Sequence, residues 1–369
     1  MMAQTISADQ ADTTILAHVN VPPAQTWNYL RINDLSLEVP TPYFAGDVYA
    51  RLPRLFERVE CGIGADAVTW MCRAAGDARY VEVRADDERA EPLYVDVDAS
   101  SAEVRDTGVL VRAGARATIV TCAHGGGGDT SASLLRVIAE RDARVTIVEI
   151  VACEGAQQHL DAVGISAAEG ARVEMRQYAL GGSKVALGLC CDLAGASSRL
   201  ELDARYLVGG TDVLDVNHVV RQRGRATRAD IVTTGILADA ARKTMRETID
   251  LVHGAKHAEG SEIETVLVTG DDVVNKTLPV ILCDEEDVAG SHGASIGAIS
   301  PEQLAFLGAR GLDESAAERL FARALFDDAA IHTPVDEARA AVLARAATVL
   351  GADVARDVGE VLGFDQRGA

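Results

Sequence analysis

The chain has 369 residues, and 56 Asp or Glu against 35 Lys or Arg give a formal net charge of −21. Hydrophobic residues make up 48% and aromatics only 4%, so a chain this long has a large core to build and must build it from Ala, Val, Leu and Gly. An acidic chain repels phosphate backbones, which argues against nucleic acid as a partner, and no apolar run approaches the roughly 18–20 residues that cross a bilayer.

The first ten residues lack a basic stretch followed by an apolar one, so no export signal is read there and the expected compartment is the cytoplasm. Residues 1–85 mix helix-like segments with loops. Val21-Pro22-Pro23 precedes Thr26-Trp27-Asn28-Tyr29-Leu30, and residues 51–60 carry a helical pattern. Gly62-Ile63-Gly64-Ala65-Asp66-Ala67 fits a relaxed dinucleotide fingerprint, but a helix-like stretch precedes it where that fingerprint needs a strand. The cysteines (Cys61, Cys72, Cys122, Cys153, Cys190, Cys191 and Cys283) form no C-x-x-C pair and read mostly as small buried side chains. Adjacent Cys190 and Cys191 point to opposite faces of a strand and cannot easily share one metal.

A repeat dominates the middle of the chain. Gly114-Ala115-Arg116-Ala117-Thr118-Ile119-Val120 returns 28 residues later as Asp142-Ala143-Arg144-Val145-Thr146-Ile147-Val148, and after another 28 as Gly170-Ala171-Arg172-Val173-Glu174-Met175. Weaker echoes stand at Gly195-Ala196, Gly224-Arg225, Asp239-Ala240 and Gly254-Ala255. Gly or Asp supplies the turn, and the period-2 alternation that follows turns one face inward. Short strands at a fixed period predict a mainly β chain wound as a solenoid, whose stacked coils bury small and β-branched residues. A hairpin sandwich is the rival, but the Asn-Gly and Asp-Gly turns it favours are missing between residues 100 and 290. The resulting division is 1–85, a helical and loop region; 86–290, the β core; and 291–369, a helical region.

Within the core the site signals are thin. Gly181-Gly182-Ser183-Lys184 lacks the upstream glycine of a phosphate loop, and Gly125 to Gly128 reads as a loop between coils. Cys122 and His124 would share a strand face, with a buried Cys beside a loop His as the plainer reading. His253 and His257 would face one metal on a helix, but in a strand-rich section they read as turn histidines. A denser constellation follows. The apolar run Leu278 to Cys283 ends in Asp284-Glu285-Glu286-Asp287, and a Gly/Ser-rich turn then presents His292. Solvated acids with a histidine capping the junction would account for the pattern in purely structural terms.

Beyond it the chain turns helical. Ser300-Pro301-Glu302-Gln303 is a capping box with Pro at the first helical position, and the helix should stop at Gly311. A second helix is predicted over 313–326 with Leu320, Phe321, Ala324 and Leu325 on one face. A third starts at Thr333-Pro334-Val335-Asp336 and carries Val342, Leu343, Ala346, Val349 and Leu350 at helical spacing.

Asp287-Val288, Ser291-His292-Gly293-Ala294-Ser295, Glu302-Gln303-Leu304, Phe306-Leu307 and Ala309-Arg310-Gly311-Leu312 together resemble the SufB/SufD family of iron–sulfur assembly proteins. His218, Gly235 and Val266-Leu267 fall in the family's order, and Thr26 with Trp27 resembles an N-terminal patch of SufD chains. Gly293 after the histidine is SufD-like, since SufB tends to carry Glu there. The resemblance implies a right-handed parallel β-helix flanked by helical regions. It also implies a non-enzymatic scaffold that pairs with a SufB-like subunit through the β-helix end. A SufC-like ABC ATPase would dock on C-terminal helices, for which Leu304, Phe306, Leu307, Arg310, Leu320 and Phe321 are the candidate contacts. A cysteine desulfurase would supply sulfide indirectly. The nascent cluster would be transient at a subunit interface, with none expected on the isolated chain. His292 is the candidate assembly residue and iron ligand. Gly290 stands where many SufD chains have Cys, so further ligands would come from the partner, from Cys283, or from Glu285, Glu286 and Asp287. The alternatives are a SufB-like homodimer that itself holds the cluster, and a β-helix enzyme acting on carbohydrate or acyl groups.

Overall fold

The computed structural model describes residues 13–24, 30–33, 35–42, 48–127 and 129–353. Two short strands, β1 (Thr13–Leu16) and β2 (Leu37–Pro40), pair antiparallel ahead of one α-helix, α1 (Ala65–Ala74). Sixteen strands then alternate between two parallel eight-stranded sheets. The first sheet holds β3 (Arg79–Val83), β5 (Val104–Val111), β7 (Thr130–Ala139), β9 (Gln158–Ala167), β11 (Lys184–Leu193), β13 (Val213–Gln222), β15 (Arg242–Leu251) and β17 (Val274–Cys283). The second holds β4 (Leu93–Asp98), β6 (Arg116–Gly125), β8 (Arg144–Cys153), β10 (Arg172–Gly181), β12 (Arg199–Val208), β14 (Arg228–Leu237), β16 (Glu259–Val268) and β18 (Ala289–Gly297). Each strand pairs with those two places away in sequence, so the chain winds through about eight turns of a parallel β-solenoid. Three helices close it: α2 (Pro301–Gly308), α3 (Glu314–His332) and α4 (Asp336–Leu350).

The repeat read from the sequence is one edge of this solenoid. Gly114, Asp142, Gly170, Ser197, Ala226 and His257 occupy equivalent turns, all left-handed, with φ of 71°, 57°, 68°, 60°, 53° and 63°. Each donates its backbone N–H to a carbonyl of the next coil: Arg141, Glu169, Ala196, Arg225, Lys256 and Asp287 accept in order. A left-handed residue is what lets the chain reverse in so few residues, which is why Gly and Asp recur there. The echoes at Gly195 and Gly224 stand two residues before the left-handed positions Ser197 and Ala226. Asp239, also left-handed at φ 58°, belongs to the opposite edge, between β14 and β15.

Register stacks identical positions into columns. Ile119, Ile147, Met175, Leu202 and Ile231 run one above another inside the solenoid, all buried. Small side chains suffice because two sheets facing each other leave little depth to fill. Outside, α3 and α4 cover the second sheet, where Phe326, Val342 and Ala346 pack with Val120, Val148, Ile150 and Tyr178. The N-terminal layer covers the first sheet, with Trp70, Met71 and Ile63 against Leu134, Leu160 and Ala186.

Several local expectations need correction. Residues 51–60 form only a short 3-10 turn, Arg54–Arg58, and α1 was not anticipated. Gly62 serves packing and not a pyrophosphate: a Cβ there would come within 2.4 Å of the Leu189 carbonyl oxygen. β3 precedes the expected solenoid start at 86, and β18 straddles the expected end at 290. Both were hidden by composition, since β3 exposes Arg79 and Glu82 at an edge and β18 is built of Gly, Ala and Ser, which read as turn. α3 runs six residues past 326, and its buried side consists of Ala317, Ala322, Leu325, Phe326, Ala329 and Ala330, while Leu320 and Phe321 are exposed. The α2 capping box is present as read. Thr26, Trp27 and Gly128 lie outside the described residues.

Candidate functional site

The two ends of the solenoid differ. At the first coil the edge is blunted by charge: Arg112 bridges Glu82 at 2.7 Å, and Arg79 donates to the Tyr94 carbonyl at 2.9 Å. At the last coil, β18 reads Ala-Gly-Ser-His-Gly-Ala-Ser-Ile-Gly and carries no Asp, Glu, Lys or Arg. Among the described residues β17 and β18 each pair on one side only, which leaves a long row of backbone donors and acceptors open. Proteins ordinarily protect such edges with charge, proline or a cover; β17 has Lys276 and Pro279, whereas β18 has none of these and is the strand open to pairing.

His292 stands on this last strand, not on the loop expected for it. The Gly and Ser around it suggested a turn, but parallel pairing with β16 holds them extended, with His292 in register with Glu262. Paired residues share a face, so His292 stands on the side that faces the solenoid interior, exposed because no further coil covers it. At its level the interior column changes character. After Ile231 come Glu262 and then His292, where five coils carried aliphatic side chains.

Glu262 is the outermost fully buried member of a polar network along the axis. Its carboxyl is pushed up to about 10 by burial and by the neighbouring Glu247. Burial also opposes ionising Glu247, yet hydrogen bonds, first from His218, hold it below its ordinary value. His218 lies 3.1 Å from Glu247 Oε1 and 2.9 Å from Gln177 Oε1, and Gln177 donates to Glu149 at 3.1 Å. Beside this line, Glu264 accepts from Lys243 at 2.5 Å, Thr277 at 2.7 Å and Tyr206 at 3.1 Å. Sequence reading missed this column. Its clearest signal was His218, Glu247 and Glu262 at inward positions of the alternation, where the preceding coils carry Leu189 and Ile231.

Cys283, the last residue of β17, is exposed on the same coil and lies 3.2 Å from the Glu285 carbonyl oxygen. The acids between it and His292 are engaged in the turn: Glu285 accepts from the Gly254 N–H at 2.9 Å, and Asp287 lies 3.1 Å from His257. His253 and His257 are turn residues, as read, and do not share a helix face. No group of three or more His, Cys, Asp or Glu among the described residues could hold a metal ion. The coil therefore gathers His292, Cys283 and the acids at one end without assembling them into a complete ligand set.

The helical face adjoins this end. Phe306 is 57% exposed, with the Arg310 guanidinium 3.4 Å over its ring, while Leu304 and Leu307 are half-buried. Leu320 and Phe321 are exposed on α3, and α2 buries none of its residues. Between α3 and the second sheet lies a cavity of about 440 Å³, floored by Thr234, Thr265 and Ser295 and walled by Phe321 and Leu325. Cys122 and His124 share the outer face of β6 beside Asp96, and His124 is on the strand rather than in a loop. Cys122 is buried, its thiol pushed well up by burial and by Asp96, while His124 lies 2.9 Å from Asp96 at the surface. Lys184 donates to the Ser36 carbonyl.

Comparison with known proteins gives the following. Residues 94–325, well over half of the chain, match the family model described as SUF system FeS cluster assembly, SufBD core domain. The iron–sulfur cluster assembly protein SufD of Bacillus subtilis is 33% identical over 97 residues, which cover 26% of this chain and 22% of that protein. SufD of Escherichia coli is 24% identical over 153 residues, covering 42% and 36%. A SufBD family protein of Pyrococcus horikoshii is 32% identical over 136 residues, covering 36% and 40%, so the chain spans less than half the length of these relatives.

Proposed function

Because the chain belongs to the SufBD core family of the SUF iron–sulfur cluster assembly system, we propose that it acts as a SufD-like scaffold subunit rather than as an enzyme. The observation that carries the reading is the uncharged edge strand β18, unpaired on its outer side among the described residues, with His292 on it. In this reading a SufB-like subunit pairs with that edge, and His292 is brought to the junction of the two proteins. The imidazole is then an iron ligand for a nascent cluster, which is cargo and not a resident group. Cys283 is the second donor candidate on the same coil, and the partner supplies the rest.

The open face of α2 and α3, with Leu304, Phe306, Leu307, Arg310, Leu320 and Phe321, is proposed as the dock for a SufC-like ATPase. Apolar side chains left exposed next to a second open surface support it. A cysteine desulfurase would act upstream as the sulfide source, and the compartment of this reading is the cytoplasm.

Coexpression with SufB-like and SufC-like proteins tests the assembly. A single complex on gel filtration is the expected outcome, and persistent monomer alone, under all conditions, overturns the reading. A dimer of this chain that assembles cluster without a partner would instead favour the homodimeric SufB-like alternative. Within the complex, His292→Ala should lower iron and sulfide incorporation while leaving the subunits together. Unchanged incorporation would make His292 structural.

A further inference from the structure

A second constellation, remote from the open end, involves three of the seven cysteines. Under the N-terminal layer, Arg136, Gly164 and Cys190 stand in register on three successive strands of the first sheet, on its outer face. Gly164 is glycine because another residue fills the place of its side chain. A Cβ there would come within 2.7 Å of Cys61 Sγ and 2.6 Å of the Glu60 carbonyl oxygen. The Cys61 sulfur therefore rests over β9, one strand away from Cys190, and neighbouring strands lie only about 4.8 Å apart. Cys190 Sγ in turn lies 4.0 Å from the Glu60 carboxylate, the residue adjoining Cys61. Cys72 lies on the other side, 3.6 Å from the Arg136 guanidinium, whose fork turns toward Asp106 at 2.6 Å. Two buried thiols, 129 positions apart in sequence, thus come close together at the seam where the N-terminal layer meets the solenoid.

We propose that Cys61 and Cys190 form an oxidation site that closes to a disulfide on reaction with a peroxide and ties the N-terminal layer to the solenoid. The step balances. The Cys61 sulfur attacks hydrogen peroxide, the O–O bond breaks, one water leaves, and Cys61 becomes a sulfenic acid. The Cys190 thiol then displaces the hydroxyl as a second water as the S–S bond forms; the two sulfurs together lose two electrons, and the peroxide gains them. Their surroundings set the pace. Burial holds the Cys190 thiol up at about 12 and the Cys61 thiol higher still, so neither is a thiolate in the closed protein, and reaction waits on opening of the seam. Once formed, the bond spans a long loop and resists further opening. The assignment is independent of the family reading.

The test treats the full chain with hydrogen peroxide, quenches with an alkylating agent, and maps peptides without reductant. The expected result is one linked pair joining the peptides of Cys61 and Cys190, reversed by dithiothreitol, with slower proteolysis between residues 48 and 78 in the oxidised form. Cys61→Ala and Cys190→Ala should each abolish the link, and Cys72→Ala should keep it. Should a variant fail to fold, mapping of the parent protein alone decides. A link through Cys72, or seven free thiols after treatment, overturns the proposal.

Discussion

His218 and Glu247 meet inside the solenoid, Nδ1 to Oε1 at 3.1 Å, with both side chains out of reach of solvent. The other ring nitrogen lies 2.9 Å from the Gln177 oxygen, so the imidazole bridges Gln177 and Glu247. One carboxylate of the adjoining Glu247–Glu262 pair is thereby matched by a donor, and the other is left as the acid. A buried acid of this kind makes folding depend on pH.

Glu262 sets the alkaline arm of that dependence. Its folded value is about 10 against an ordinary 4.5, so between those limits the folded state keeps a proton that the unfolded state has lost. Stability then falls as pH rises, by up to about 1.4 kcal/mol per pH unit from this group. His159 works in the opposite direction: burial pushes it down to about 3, so stability falls as pH drops from 6.5 toward 3. Thermal melts between pH 4 and 9 should trace a dome. Glu262→Gln should flatten the alkaline side, and an unchanged slope in that variant would mean the carboxyl is ionised in the fold.

The turn ladder predicts opposite signs for two small substitutions. Gly170 is left-handed, and a Cβ would come within 2.2 Å of Asp142 Oδ1, so Gly170→Ala should cost about 1–2 kcal/mol in urea denaturation. Ala226 already holds φ at 53° with its Cβ in place. Ala226→Gly relieves that strain and should be neutral or stabilising by less than about 1 kcal/mol. Equal losses at both positions would remove backbone strain as the reason for the repeat.

The interior columns predict a gradient across a single sheet. Ile147→Ala removes a fully buried side chain between Ile119 and Met175 and should cost about 2–5 kcal/mol. Val232 is 46% exposed on the outer face, so Val232→Ala should stay within about 0.5 kcal/mol. Comparable losses would mean the outer face is covered in solution.

What could be read from the sequence followed what repeats. Arg144-Val145-Thr146-Ile147 matches Arg116-Ala117-Thr118-Ile119 because equivalent strands meet equivalent neighbours, so periodicity exposed the solenoid before any contact was known. The α2 cap was equally plain, since Ser300 and Gln303 act through local hydrogen bonds. His292 was found as a residue but assigned to the wrong element, because pairing with β16 is a long-range fact that Gly, Ala and Ser do not advertise. The proximity of Cys61 to Cys190 and the line from Glu149 to Glu262 depend on coil stacking and on the N-terminal layer. Neither leaves a local pattern to read.

The open edge gives the most direct functional prediction. A Cβ at Gly293 would meet no atom within 4 Å, and its φ is not left-handed, so a longer side chain fits there without disturbing the coil. Gly293→Lys places a charge on the edge strand, the device by which other sheets refuse neighbours. The variant should melt like the parent yet fail to bind a SufB-like subunit on gel filtration. Phe306→Glu on α2 should do the reverse, losing a SufC-like ATPase and keeping the SufB-like subunit. His292→Ala should keep both partners and lose iron. Three variants with three separate losses would assign pairing, docking and ligation to different surfaces; loss of everything in any one of them would show that these surfaces act as one.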